Sequence, residues 1–391
     1  MTEDYTQESA GREEKRGHRR FRRAALFAAI LLAVLGIVVV AAYWDGTGFD
    51  ALRRFFSYGR AEKKSGEVSY SYDAAAENRF AVLGDSLVVL SGRELQVLDG
   101  EGKQTFSAAV SMSSPAIAQG GGRIAAYDVG GTELYVLDKN GQRLHLTADE
   151  DEPYIAATLN SSGWLAVTSE KKNYKGCVSV YNDKLELEFA FNSAQRFVMD
   201  AVVTENCKSL AAVTLGQKDS VFLSDIVLYG LHQTKPSADY EVSDGLVLSI
   251  ANLDGKLATV SDTCLTFASE TGKVAGSYDY AGRYLREQTL EGDGFAALLL
   301  NRYRSGSIGT LVTVNPDGTE RARLDIDSEV RDVSAAGRYL AVLYTDRLVI
   351  YTPELKEYAS LTGTDYAKKV LMRADGSALL IASDVAKLYL P

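Results

Sequence analysis

The chain has 391 residues and only six prolines, and 46% of it is aliphatic or aromatic against 24% charged. That balance excludes an extensively disordered protein and is enough for a large core. The formal charge of -10 is uneven: residues 67–391 carry 44 acidic against 30 basic side chains. A body that acidic repels nucleic acid and other polyanions at long range, so no nucleic-acid partner is expected.

Residues 1–23 are polar and hold seven Lys and Arg, ending in His18-Arg19-Arg20-Phe21-Arg22-Arg23. Residues 24–42, AALFAAILLAVLGIVVVAA, contain no charge. About nineteen apolar residues at 1.5 Å each match the ~30 Å hydrocarbon core of a bilayer. Tyr43 and Trp44 stand where an interfacial aromatic belt lies, so the transmembrane helix is placed at residues 24–44. Basic residues before the span and none directly after it put the N-terminus in the cytoplasm and the rest outside. A cleaved signal peptide is the alternative; its apolar region is usually shorter, about 7–15 residues, and Val-Val-Ala-Ala is a poor cleavage site. Residues 45–66 read as a juxtamembrane linker. In it Phe49, Leu52, Phe55 and Phe56 alternate with Arg53, Arg54 and Arg60, a composition that suits either a short interfacial helix or a plain tether.

From Val68 onward the chain is a succession of short β signals. Residues 337–361, GRYLAVLYTDRLVIYTPELKEYASL, show the unit: strands at Tyr339–Tyr344, Arg347–Tyr351 and residues 356–361, separated by Thr345-Asp346 and Thr352-Pro353-Glu354. The strand containing Leu340-Ala341-Val342 recurs around residues 88, 125, 166, 211, 258, 297 and 380. Intervals of roughly 37 to 47 residues are those of four-stranded propeller blades. Apolar runs without clean alternation fit sheets buried on both faces. The last repeat has no sequence for a fourth strand after Pro391, and Val68–Tyr72 is a strand without a hairpin of its own. It is expected to supply that edge and close the ring. The predicted fold is therefore all-β: a propeller of eight four-stranded blades, or alternatively seven, over residues 67–391.

Three turns, at residues 267–274, 136–142 and 97–103, resemble the quinoprotein-dehydrogenase-like (PQQ-like) and WD40-like propeller superfamily. That family's docking motif continues into a tryptophan packed between blades, where this chain has Gly276, Leu144 and Thr105. The resemblance implies the fold and no quinone cofactor. As a whole, an anchored, acidic, tryptophan-poor propeller resembles a family of single-pass envelope proteins of Gram-positive bacteria. No activity is attached to that family, so none carries over.

Chemistry-bearing motifs are sparse. Cys177, Cys207 and Cys264 and the histidines at 18, 145 and 232 have no metal-ligand spacing, so no zinc set is expected and the cysteines read as packed thiols or at most one bridge. Asp149-Glu150-Asp151-Glu152 lacks the spaced ligands and glycine turn of a calcium loop and reads as a solvated linker. His145 and His232 lack a Ser or Cys partner, so no triad is expected. Residues 171–175 and 302–307 read as loops inserted between the second and third strands of their repeats. Charges stand at the start of several first strands: Arg79, Asp200, Arg286-Glu287, Arg331-Asp332 and Lys368-Lys369. First strands line a propeller's channel, so these are expected as a ring at one mouth, against the alternative of ordinary solvated strand ends. Neither a metal nor an organic cofactor is expected. The leading reading is a non-catalytic, membrane-tethered extracytoplasmic propeller binding a protein or cell-envelope ligand. The alternative is an envelope lyase or hydrolase acting in the channel.

Overall fold

The computed structural model describes residues 32–34, 68–218, 221–242 and 245–391. The expected membrane span and linker lie outside the described residues, apart from residues 32–34, which are helical. Among the described residues no helix is long and apolar enough to cross a membrane.

Residues 68–391 form eight four-stranded antiparallel sheets, and each sheet is one blade. Blades 1 to 7 take residues 79–109, 115–147, 154–192, 197–241, 247–279, 284–326 and 330–362 in order. Blade 8 takes residues 369–389 and borrows Ser69–Ser71 as its outer strand, in register Ser69↔Lys387, Tyr70↔Ala386 and Ser71↔Val385. The eight-blade expectation and the N-terminal clasp are both met. Tyr70 is fully buried, and Arg373 of blade 8 donates from Nη2 to the Asp85 carbonyl of blade 1 at 2.9 Å, so the ring is laced across its seam.

The core lies between blades, not within them. In the second strand of blade 4, Leu210 and Ala212 pack on blade 3, while Ala211 and Val213 pack on blade 5. Successive side chains of a strand point to opposite faces. With a neighbouring sheet on each side, both faces must be apolar, which is why the sequence shows runs and not alternation. Alanines at the centre of these strands, such as Ala211, Ala258, Ala297 and Ala341, are wholly buried. Their small size lets adjacent sheets approach closely. At Gly276, where the related motif has tryptophan, even a Cβ would collide with the Asp317 carbonyl of blade 6. Trp164 instead packs beside the core between blades 3 and 4.

The first strands of successive blades touch around the axis, so they line the channel. All begin at one face. That linker face carries the blade-to-blade links and the loops between second and third strands. The opposite, hairpin face carries the remaining turns. Val68, where the described propeller starts, is on the hairpin face, since Ser69 pairs with Lys387 toward that end of its partner strand.

Candidate functional site: the channel and the linker face

Register sorts the strand-start charges. Arg79 pairs with Leu90, Asp200 with Val213, Glu287 with Leu299 and Asp332 with Leu343, each at the same step of its blade. Ala116, Ala156 and Ser249 occupy that step in blades 2, 3 and 5. Lys368 reaches it in blade 8, its N–H donating to the Ile381 carbonyl at 2.7 Å. Arg286 and Arg331 do not belong to this ring. Each precedes it by one residue and falls in a register shift of its strand, between Leu285 and Glu287 or between Val330 and Asp332. A bulge of this kind re-aims the side chain. Arg331 donates from Nη1 to the carbonyls of Asp365 and Ala367, at 2.8 and 2.7 Å, and so fastens the link into blade 8. Arg286 lines a cavity away from the channel.

At the linker-face mouth the channel widens to a cavity of about 390 Å³, with Arg79, Ser249, Gln288, Asp332 and Lys369 on its wall. Burial raises the Asp332 carboxyl to about 6, although the Val370 N–H, donating to Oδ2 at 2.8 Å, and Lys369 both favour its charged form. Burial pushes Glu287 upward too, against the pull of Arg286 and Lys369. Asp200 keeps some contact with solvent, yet the surrounding blades strip enough hydration to raise its carboxyl to about 7, with the Ala201 N–H acting in the opposite direction. The hairpin-face mouth is a larger cavity of about 640 Å³, bordered by Asn160, Glu205, Asn252, Asp254, Glu291 and Asp293. Inside it Gln119 of blade 2 donates from Nε2 to Oε1 of Glu291 at 2.9 Å. Blades 2 and 6 are four apart in a ring of eight, so this bond crosses the channel.

The other flagged motifs are structural. Glu152 and Asp151 pair with Lys171, at 2.5 Å, and Lys172, at 3.5 Å, so half of the acidic run is paired with the neighbouring inserted loop. His145 stacks on Tyr135 at 4.1 Å with Nε2 2.5 Å from Glu133, and His232 lies 3.2 Å from Glu188. Cys177, Cys207 and Cys264 are free thiols. Among the described residues no group of three or more metal-capable side chains converges.

One feature escaped the sequence. Among the described residues of the propeller, all the large exposed apolar side chains but Leu187 and Val274 sit on the linker face, and most belong to blades 3 to 6. Phe197 is 55% exposed, Phe222 60%, Leu248 60%, Tyr303 58% and Ile308 57%, joined by Tyr174, Met199, Leu246 and Tyr284. Lys175 lies over the Phe197 ring at 5.2 Å and Arg302 over Tyr303 at 5.6 Å, so cations border the apolar crescent. Phe197, Leu246 and Leu248 stand in strand-like sequence and cannot be told there from core residues. Tyr303 and Ile308, inside a polar loop, were the only hint.

These observations define a closed eight-bladed propeller with a polar channel and one apolar, cation-rimmed face. The chain belongs to DUF5711, a family of unknown function, whose model matches residues 60–385. No curated protein matches it. Among solved structures it is similar to BamB from Moraxella catarrhalis, with 12% identity over 84% of this chain and 97% of that one, at a TM-score of 0.50. It is similar to the C-terminal WD40 domain of Sif2, with 12% identity over 84% and 96%, at a TM-score of 0.54. The dihydro-heme d1 dehydrogenase NirN matches with 13% identity over 75% and 67%, at a TM-score of 0.50. At such identities the likeness is one of fold alone.

Proposed function

We propose that this protein is a membrane-tethered extracytoplasmic scaffold that docks a protein partner on the linker face of blades 3 to 6. The exposed apolar crescent carries the reading. Nine large apolar side chains exposed on one face of four successive blades are a concentration that marks interaction surfaces, and aromatic and arginine side chains are those enriched in protein interfaces. The fold shared with BamB and the Sif2 WD40 domain supports a scaffold. The single-pass anchor with a cytoplasmic N-terminus belongs to the same proposal. The described propeller begins at Val68 on the hairpin face, opposite the crescent. Photo-crosslinking from Leu248 or Phe222 in the full chain in membranes is expected to yield one defined protein adduct. Glu101, on the hairpin face, is expected to yield none, and Leu248→Glu combined with Phe197→Ser to abolish the adduct from Phe222. Equal labelling from Glu101, or no adduct at all, rejects the reading. Protease added to intact cells is expected to digest or release the propeller.

A second reading, an envelope lyase or hydrolase, is favoured by the raised carboxyl of Asp332 on a channel wall that also holds Lys369 and Arg79. It requires a turnover lost in Asp332→Asn with crosslinking from Leu248 unchanged.

A further inference from the structure

Between Lys273 and Lys356 the chain has no lysine, and its cations are nine arginines. Arg321, Arg323 and Arg347 are in ion pairs with Glu354, Glu320 and Asp346. Arg331 holds the two carbonyls of the link into blade 8. Arg283 donates from Nε to the Tyr280 carbonyl at 2.9 Å, Arg338 hydrogen-bonds the Tyr339 hydroxyl, and Arg302 lies over Tyr303. That leaves Arg286 and Arg304, which make no hydrogen bond or ion pair among the described residues. Both line one cavity of about 500 Å³, between the inserted loop of blade 6 and the start of blade 7.

Two features of the fold bring them together. The bulge after Leu285 takes Arg286 out of the channel register while leaving Glu287 close enough to Lys369 to feel its charge. The loop at residues 302–308 is braced from within: the Arg302 N–H donates to the Ile308 carbonyl at 3.1 Å, and Asn301, itself buried, donates from Nδ2 to the Gly306 carbonyl at 2.9 Å. Gly306 has φ +126°, a conformation that side-chain-bearing residues avoid, so the brace depends on glycine there. Ser305 and Ser307 also line the cavity, and their hydroxyls are engaged by no protein group among the described residues. Glu329 is the one carboxylate on the wall.

We propose that this cavity binds a small oxyanionic ligand, a phosphorylated or carboxylated molecule of monosaccharide size, gripped by Arg286 and Arg304. The planar guanidinium fork matches carboxylate and phosphate oxygens through paired hydrogen bonds, which lysine does not provide. Two such forks with two serine hydroxyls outweigh Glu329 on the wall and the more distant pull of Glu287 on Arg286. The volume lies in the roughly 300–1,000 Å³ range of small-molecule sites. The site adjoins the apolar crescent but does not depend on a partner there.

The test is calorimetric titration of the full chain in detergent with glucose 6-phosphate, glucuronate and inorganic phosphate, at constant ionic strength. Saturable binding of at least one probe is expected. Binding of the phosphorylated probes alone assigns a phosphate site, and binding of glucuronate alone a carboxylate site. Arg286→Gln and Arg304→Gln are each expected to weaken it at least about tenfold, or ~1.4 kcal/mol. Glu329→Gln is expected to tighten it, which gives a gain-of-binding readout independent of any variant that folds poorly. Arg321→Gln, whose side chain is paired elsewhere, is expected to bind as the parent. The proposal is overturned if no probe saturates, or if both arginine variants bind as the parent and Glu329→Gln changes nothing. Crosslinking from Leu248 is expected to stay the same in Arg286→Gln, so the two readings fail separately.

Discussion

The two faces of the propeller are made by the same eight sheets and are held in different ways. On the hairpin face side-chain bonds reach from blade to blade at six junctions of the ring. Arg123 donates to the Gly163 carbonyl at 2.7 Å, Asn160 to that of Thr204 at 3.1 Å, and Lys256 to that of Pro316 at 2.9 Å. Asn206 donates to Glu270, Thr313 to the Pro353 carbonyl and Arg373 to that of Asp85. On the linker face five first strands are bulged near their start, the loops are longer, and apolar side chains stand in solvent. Bonds such as these lace the ring on the hairpin face, whereas the linker face mixes fasteners such as Arg331 with exposed apolar residues that bury nothing. A rigid scaffold presenting variable loops is the usual division of labour in binding folds.

The sharpest way to test that division is to open the ring. Deleting residues 68–72 removes buried Val68, Tyr70 and Tyr72. At about 1.5–3 kcal/mol each, that is about 5–9 kcal/mol, comparable with the whole stability of a domain. The full chain without these residues is expected to lose its cooperative melt. A melt within a degree or two of the parent would show that closure does not hold the propeller.

A smaller change tests the packing of the hairpin face alone. Gly276→Ala drives a methyl into the Asp317 carbonyl, where backbone and not a pliable side chain must yield. The expected loss is about 3 kcal/mol by denaturant titration. Leu248→Ser, on the linker face, is expected to stay within about 0.5 kcal/mol of the parent. Similar losses in the two variants would erase the distinction between the faces.

The channel mouth makes the linker side dependent on pH. Asp332 in the folded protein titrates at about 6, above the value near 4 of an unfolded aspartate. The native state therefore binds the extra proton, and stability falls as pH rises from about 4 to about 6, by at most about 3 kcal/mol and less where channel water screens the charge. Asp200, raised to about 7, acts in the same direction. Asp332→Asn is expected to flatten part of that slope in urea titrations at pH 5 and 7.5. An unchanged slope would place the proton elsewhere.

The smallest effect concerns Arg331. Its two bonds to backbone carbonyls make it a fastener of the link between blades 7 and 8, so Arg331→Ala is expected to cost about 1–2 kcal/mol and leave crosslinking from Leu248 intact. Lost crosslinking with unchanged stability would return Arg331 to the partner-binding surface.

The fold was legible in the sequence because its signals are local. Turn residues such as Asp254-Gly255 and strand-length apolar runs act over a few residues, and their repetition forces one architecture. The missing edge after Pro391 could be matched to Val68–Tyr72 by counting strands. Which charges share the channel could not be read in the same way. A one-residue bulge separates Arg286 from Glu287 and Arg331 from Asp332, and a shift of one residue moves a side chain to the other side of the sheet. The exposed crescent was hidden for a related reason. Phe197 and Leu248 have the composition of core residues, and whether an apolar side chain is covered depends on where neighbouring blades end. Local chemistry determined the propeller; only the packing of whole blades decided which of its residues meet water.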